Sequence, residues 1–185
     1  MRMKKRGLVV AILACTLVLA ALSGCTPTPA PTPIPTSTTD APVFESDEEA
    51  LAAATEAYAA YQAMSNTIAQ EGGRAPERIS EFSTGAVLKS EVESFSKMEE
   101  NGFHGTGDLS FDSFSIQSAD LVDGIIQAYL CLDVSGTDVV DSTGASVVPV
   151  DRPLRLPLQV GLVNSDDAKQ LLIEESESWS GENFC

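Results

Sequence analysis

The sequence predicts an α+β fold with three helices, one of them long, followed by a four-stranded antiparallel sheet. Between about residues 47 and 100, apolar residues recur at steps of three and four, the period of a helix with one buried side. After residue 105 the period becomes two, and turn-forming residues such as Asp123-Gly124 separate the alternating runs. Helices first and strands afterwards favour a sheet packed against helices.

The long first helix has a clear start and a clear end. Ser46 and Glu49 form a capping box, in which a hydroxyl residue is followed three positions later by a glutamate. Gly72-Gly73 ends the helix, because glycine readily adopts the left-handed conformation that closes helices. The side chains expected to be buried are Leu51, Ala54, Tyr58, Tyr61, Met64 and Ile68.

Two shorter helices are predicted before the sheet. Pro76 opens one that runs through Glu81, since proline suits the first helical position. The other covers residues 85–100 and stops at Asn101-Gly102. Its expected buried side chains are Val87, Leu88, Val92, Phe95 and Met98.

The sheet is predicted from four alternating runs. The first strand is kinked between Phe111 and Phe114. Pro153 and Pro157 predict an edge or bulged position for the third strand, because proline has no N–H to donate to a ladder. The strands are expected at residues 109–116, 126–134, 154–163 and 171–179, with a turn at 164–167 before the last.

Charge and composition exclude several classes of function. The 185 residues include 27 acidic and 11 basic side chains, for a net charge of −16. Such a surface repels phosphate backbones, and without a basic patch the chain is not expected to bind nucleic acid. One histidine and four cysteines without ligand spacing predict neither a metal site nor a cofactor. Aspartates such as Asp138 and Asp141 are read as turn formers, with a weak surface calcium site as the alternative.

The amino terminus has the organisation of a signal peptide. A basic segment at residues 1–7 precedes an apolar run at 8–22. This run is shorter than a membrane span, which needs about 20 residues. A short membrane anchor is the alternative. Leu22-Ser23-Gly24-Cys25 resembles the lipobox of bacterial lipoproteins. The resemblance implies that residues 1–24 are removed and that Cys25 carries a diacylglycerol, which anchors the chain on the extracytoplasmic face of the cell membrane.

Residues 25–42 are expected to form a stalk below a folded domain at residues 43–185. The stalk contains TPTPAPTPIPTSTT, in which proline at nearly every second position prevents helices and ladders. An extended polyproline II chain of this length reaches roughly 40 Å. A docking peptide for a proline-binding module is the alternative, and the Thr-Pro density also suits O-glycosylation.

The order of elements in residues 43–185 resembles the cone-shaped domains of the nuclear transport factor two and ketosteroid isomerase superfamily. That resemblance implies a curved sheet that wraps the long first helix and leaves a pocket. The chain is also similar to small surface lipoproteins of Gram-positive bacteria, which share a Thr/Pro stalk, a cysteine in a central strand and a closing Trp-x-Gly…Cys. The matching residues here are Cys131, Trp179-Ser180-Gly181 and Cys185.

Two cysteines remain for the folded domain, because Cys15 would be discarded with the signal peptide and Cys25 would be lipidated. Outside the cytoplasm, Cys131 and Cys185 are expected to form a disulfide that holds the carboxy terminus. The alternative is two unrelated cysteines, one buried in its strand and one exposed.

No complete catalytic motif is present, and no catalytic residue is predicted. His104 lies in a glycine-rich connection, where histidines are more often solvated than general bases. Ser94 and Lys97 match the S-x-x-K pattern of penicillin-binding enzymes, but the two further motifs of that chemistry are missing. Enzymes of the cone superfamily use an acid, tyrosine or histidine that points into the pocket. Residues of suitable type, without a matching motif, are Tyr58, Tyr61, Asp112 and Asp133.

The predicted function is therefore that of a lipid-anchored, non-enzymatic binding or interaction protein, which takes a small apolar ligand or an envelope protein. A small pocket enzyme of the isomerase, dehydratase or cyclase type is one alternative. A structural or assembly module of the cell envelope is another. Apolar side chains on both faces of the second strand, Ile125 and Tyr129 beside Ile126 and Leu130, are compatible with a homodimer through the open sheet face.

Overall fold

A computed structural model of the chain describes residues 41–165 and 170–185. The predicted signal peptide, Cys25 and most of the predicted stalk lie outside the described residues, as do residues 166–167 of the turn predicted at 164–167. The α+β fold with helices first is confirmed. The elements are α1 (Asp47–Gln70), a 3₁₀ helix (Pro76–Glu81), α2 (Gly85–Asn101), β1 (His104–Thr106), β2 (Ser110–Asp120), β3 (Ile125–Asp133), β4 (Asp138–Val140), β5 (Arg155–Asn164) and β6 (Leu171–Ser178).

The main sheet is antiparallel, with four strands in the order β2-β3-β5-β6. A second sheet, which the sequence did not predict, pairs the short strands β1 and β4. Both α-helices pack against the main sheet and share its core. None of the helices in the described part of the chain is long and apolar enough to cross a membrane.

Helix α1 begins at the predicted cap. The Ser46 hydroxyl accepts a hydrogen bond from the Glu49 N–H at 3.2 Å, while the Glu49 carboxylate accepts from the N–H of Glu45 at 2.7 Å. One predicted buried position is wrong: Leu51 is 37% exposed, and its neighbour Ala50 is buried instead. Because successive helical residues turn by about 100°, only one of the two can face the core. The buried stripe consists of Ala50, Ala54, Tyr58, Tyr61, Gln62, Ser65 and Ile68.

The two shorter helices also follow the prediction. The segment after Pro76 is a 3₁₀ helix. Helix α2 ends at Gly102, which has a positive φ of 67° and whose N–H bonds the carbonyls of the last turn. On its sheet-facing side Val87 and Phe95 are buried, and the half-buried members of the core are Leu88, Val92 and Met98.

The predicted kink in the first strand is a β-bulge in β2. The register of β2 against β3 shifts between Asp112 and Ser115, and Ser113 adopts a positive φ of 57°. A bulge adds a residue to one strand and bends it, which explains why the alternation of Phe111 and Phe114 slips by one. The turn into β3 is also as predicted, with the Asp120 carboxylate accepting from the N–H groups of Val122 and Asp123.

Of the two positions predicted for the third strand, the edge is wrong, because β5 lies between β3 and β6, whereas its pairing with β6 does contain a bulge between Gly161 and Leu162. Pro157 is tolerated there for a geometric reason. The Pro157 carbonyl accepts a hydrogen bond from the Trp179 N–H at 2.8 Å. In an antiparallel sheet the N–H and C=O of one residue face the same neighbour, so the missing N–H of Pro157 also faces Trp179, which lies beyond the end of β6 at Ser178. The ladder therefore needs no donor at Pro157.

Candidate functional site

An aromatic cluster fills the space between α1 and the sheet, where the cone-like fold was expected to leave a pocket. The ring of Tyr58, which is 2% exposed, packs edge-on against Phe111 with centroids 4.8 Å apart. Phe114 and Tyr61 lie 6.0 and 5.6 Å from the same ring. Two clefts lie along the margins of α1.

A carboxyl group reaches this cluster from α2. Burial raises the pKa of Glu91 above its usual range, and a hydrogen bond with Tyr61 opposes part of that rise. Burial, followed by the charge of Glu91, in turn raises the pKa of Tyr58 and of Tyr61. Glu91 was not predicted as a site residue, although its spacing of four from both Val87 and Phe95 places it on the buried side of α2.

We expect Glu91→Gln to stabilise the domain increasingly as the pH rises. A carboxyl whose pKa is raised on folding makes its full contribution to the free energy of unfolding below its unfolded-state pKa. That contribution is lost as the pH rises through the folded-state pKa. Glutamine removes the ionisation and can still accept a hydrogen bond from Tyr61. The measurement is urea unfolding of both proteins at about pH 5 and about pH 7.

Glu93→Gln is the matched control on the same helix. Glu93 is exposed, and the hydrogen bond and charge of Lys97 lower its pKa, so its substitution should give no gain in stability toward higher pH. A stability difference between Glu91→Gln and the wild type that stays constant over this range would show that Glu91 ionises normally.

One margin of α1 carries an apolar groove of about 430 Å³. Alanines on α1 form its floor, and the start of the domain, the end of the 3₁₀ helix and the start of β6 form its walls. Glu56, Asn164 and Gln170 are its polar members. The apolar lining residues are Val43, Phe44, Ala53, Ala57, Ala60, Phe82 and Leu171.

The other margin of α1 carries a polar cleft of about 460 Å³, here called the amide cleft. It lies between the second half of α1 and the segment that leads into β2. Asn66 bonds both backbone groups of Leu109, at 3.1 and 3.0 Å. Gln70, one turn further, donates to the Gly107 carbonyl at 2.9 Å and to Asp108 at 2.7 Å. Gln62, one turn earlier on the same face, also lines the cleft.

His104 lies outside both clefts. It is an exposed residue of β1, paired in register with Val140, at the edge of a third and smaller depression of about 310 Å³. Ser94 and Lys97 are exposed on α2, and Lys97 pairs with Glu93. Within residues 41–165 and 170–185, no three metal-ligating side chains come together.

The outer face of the sheet, opposite the helices, is crossed by the C-terminal strap, residues 179–185. Cys131 and Cys185 form a disulfide with Cα atoms 5.6 Å apart. On the neighbouring position of the same face, the Tyr129 ring packs between Trp179 and Phe184, with centroids 5.2 and 6.0 Å away. The strap leaves Cys131 only 1% exposed.

Two acids of the type expected in a pocket lie on this outer face instead. Asp112 accepts two hydrogen bonds from Arg155 at 2.7 and 2.8 Å, and these lower the pKa of its carboxyl. Asp133 accepts from the Ser135 N–H at 2.8 Å and pairs with Arg155 at 3.3 Å. Hydrogen bonding by the Ser135 side chain, followed by that of its backbone N–H, lowers the pKa of Asp133. Both are held ionised at the surface, and neither lines a cleft described above.

Comparisons with known proteins show the fold and go no further. No family model matches the chain, and no match was found among curated proteins. The crystal structure of the intermembrane space region of chloroplast protein ARC6 is similar with a TM-score of 0.51 and 16% identity, over 71% of this chain and 97% of that one.

Two structures from Catenulispora acidiphila are less similar. One, in complex with S-DNPA, has a TM-score of 0.45 and 18% identity over 69% of this chain and 92% of that one. The other has a TM-score of 0.41 and 16% identity over 69% and 91% of the two chains. The resemblance to the nuclear transport factor two superfamily and to Gram-positive surface lipoproteins stays a prediction.

Proposed function

We propose that the protein is a lipid-anchored, extracytoplasmic and non-catalytic binding protein whose apolar groove takes a small apolar molecule. The anchor is the diacylglycerol expected on Cys25, and the proline-rich stalk carries the domain above the membrane surface. The disulfide between Cys131 and Cys185 supports a location outside the reducing cytoplasm.

The ligand class is inferred from the size and lining of the apolar groove. Its volume of about 430 Å³ lies within the range of small-molecule sites, and most of its lining is apolar. The side chains of Ala53 and Ala57 are small and leave room in the groove. A ligand seated on them can therefore contact Phe82 and Leu171. The amide of Asn164 can bond one polar end of a ligand and fix its orientation, whereas Gln170 Nε2 already donates to the Glu81 carbonyl at 2.8 Å and leaves the amide oxygen for a ligand. Glu56 is the single titratable group among the described lining residues, which favours binding over acid–base chemistry.

A homodimer through the outer sheet face is not part of this proposal. The side chain that would lie at the centre of such an interface, Tyr129, already packs against Trp179 and Phe184 of its own chain. The strap therefore covers the part of this face around Tyr129, while Ile125 on the same strand stays exposed.

The test uses the mature chain with Cys25→Ser, secreted through an ordinary signal peptide. Release of this variant from the membrane fraction tests the anchor. Native mass spectrometry then detects a co-purified small molecule, and titration with 1-anilinonaphthalene-8-sulfonate measures access to the groove. Ala57→Trp is expected to fill the groove and to remove both the bound mass and most of the dye fluorescence.

Ala52→Trp, which adds the same ring to an exposed position of α1, is the control and should bind like the parent. Equal dye binding by both tryptophan variants and no co-purified mass would exclude the groove as a ligand site. A Cys25→Ser chain that stays in the membrane fraction would exclude the lipid anchor, independently of the result for the groove.

A further inference from the structure

We propose that the amide cleft is a second binding site, which takes an extended peptide backbone. The site is distinct from the apolar groove and lies on the other margin of α1. Its elements are a row of carboxamide side chains on the helix, one of which has no partner, and the outward-facing backbone of β2.

The row consists of Gln62, Asn66 and Gln70, which are spaced by four residues and therefore lie on one face of α1. Two of the three already bind peptide backbone. Asn66 takes the N–H and the C=O of Leu109 together, and Gln70 takes the carbonyl of Gly107. This face of the helix therefore recognises an extended chain by its main-chain groups.

Gln62 is the unoccupied member of the row. The residue is only 6% exposed, yet its amide makes no hydrogen bond with any residue of the described chain. No atom of the Gln62 amide is both fully buried and unbonded, so its two donors and one acceptor reach the solvent of the cleft. Because Gln62 lines the cleft, a group that enters the cleft can satisfy them.

The strand across the cleft offers matching groups. The N–H and C=O of Leu109 point toward α1. Backbone groups two residues apart on a strand point to the same side, so the N–H and C=O of Phe111 also point toward α1. The next residue, Asp112, pairs with Cys131 of β3 on the other side. Four helical residues advance about 6 Å, close to the rise of two strand residues, so Phe111 lies level with Gln62. The bulge after Asp112 bends β2, and no bond joins Gln62 to Phe111 among the described residues.

A peptide unit fits this arrangement better than a charged ligand. One peptide group carries a donor and an acceptor, the combination that Asn66 already bonds at Leu109. The Asp108 carboxylate at the rim and the net charge of −16 disfavour phosphates and carboxylates. The ligand class is therefore a neutral or cationic segment of extended peptide.

The experiment titrates the secreted Cys25→Ser chain with N-acetyl-trialanine amide, followed in ¹H–¹⁵N correlation spectra. We expect saturable shifts of the Gln62 side-chain amide and of the Phe111 N–H. Gln62→Met, which keeps the length and removes the amide, should weaken binding roughly tenfold, equivalent to about 1.4 kcal/mol. Gln117→Met, at an exposed glutamine outside the cleft, should bind like the parent.

A second variant keeps the test decisive if Gln62→Met does not fold. Ala63→Trp leaves every polar group in place and fills the cleft from an exposed position of α1, so it should abolish binding. Shifts without saturation would mean that the cleft holds water only, and binding that survives both substitutions would place the peptide elsewhere. Either result overturns the proposal.

Discussion

Replacing Gly73 with alanine is expected to destabilise the domain by about 3 kcal/mol or more. Gly73 follows α1 and has a positive φ of 79°, where side chains other than hydrogen are strained. A Cβ atom at this position would also lie 2.0 Å from the carbonyl oxygen of Phe95 in α2. That oxygen belongs to the backbone of a packed helix and cannot rotate away, so α1 and α2 would have to separate.

Gly102→Ala provides the control, because it isolates the conformational cost. Gly102 has a φ of 67°, and no atom lies within 4 Å of the place that an alanine methyl would take, so its substitution should cost only about 1 kcal/mol. Urea unfolding followed by circular dichroism measures both. Similar losses for the two variants would show that the backbone contact at Phe95 relaxes without cost.

The helices and strands were predictable because their side-chain periods are local properties of the chain. The start of α1 follows from Ser46 and Glu49, and the kink in β2 follows from the slip between Phe111 and Phe114. Leu51 shows the limit of that reasoning. From the sequence alone, the more hydrophobic Leu51 is expected to be buried rather than the adjacent Ala50. In the structure, the elements packed against the helix decide which of the two faces the core.

The position of β5 in the sheet could not be read from its prolines. The rule that proline favours edges concerns one missing N–H, and that N–H matters only where a partner strand is present. At Pro157 the partner strand β6 has already ended. Strand order depends on long-range pairing. The prolines therefore correctly indicated a missing ladder donor, but wrongly indicated that the whole strand lies at the edge of the sheet.

The polar side chains at the candidate sites were missed for a related reason. Gln62 occupies a buried helical position and Glu91 a half-buried one, but a search for apolar periodicity passes over both. Asp112 and Asp133 were considered because acids suit a pocket, yet the register of the sheet directs them to the outer face beside Arg155. A polar residue at a position that the helical period assigns to the core is the signal that would have identified the first pair.

Removing the disulfide with Cys131→Ala and Cys185→Ala is expected to lower the free energy of unfolding by about 4 kcal/mol. The bridge closes a loop over a sequence separation of 54 residues, so its loss frees a large set of unfolded conformations. The C-terminal strap should also detach. Its remaining ties are the ring contacts to Tyr129 and the bond from the Trp179 N–H to Pro157, all at the surface.

Unfolding and strap release can be separated by their signals. Trp179 is the single tryptophan of the chain, so its fluorescence reports the strap, while circular dichroism reports the helices. Reduction of the wild type without substitution controls for the small cavity left at the buried Cys131. If the bridge holds the strap, both samples shift the Trp179 emission to that of a solvated indole under conditions where the helices stay folded. An unchanged emission with native stability would mean that the aromatic contacts with Tyr129 hold the strap unaided, and that the disulfide contributes nothing to the fold.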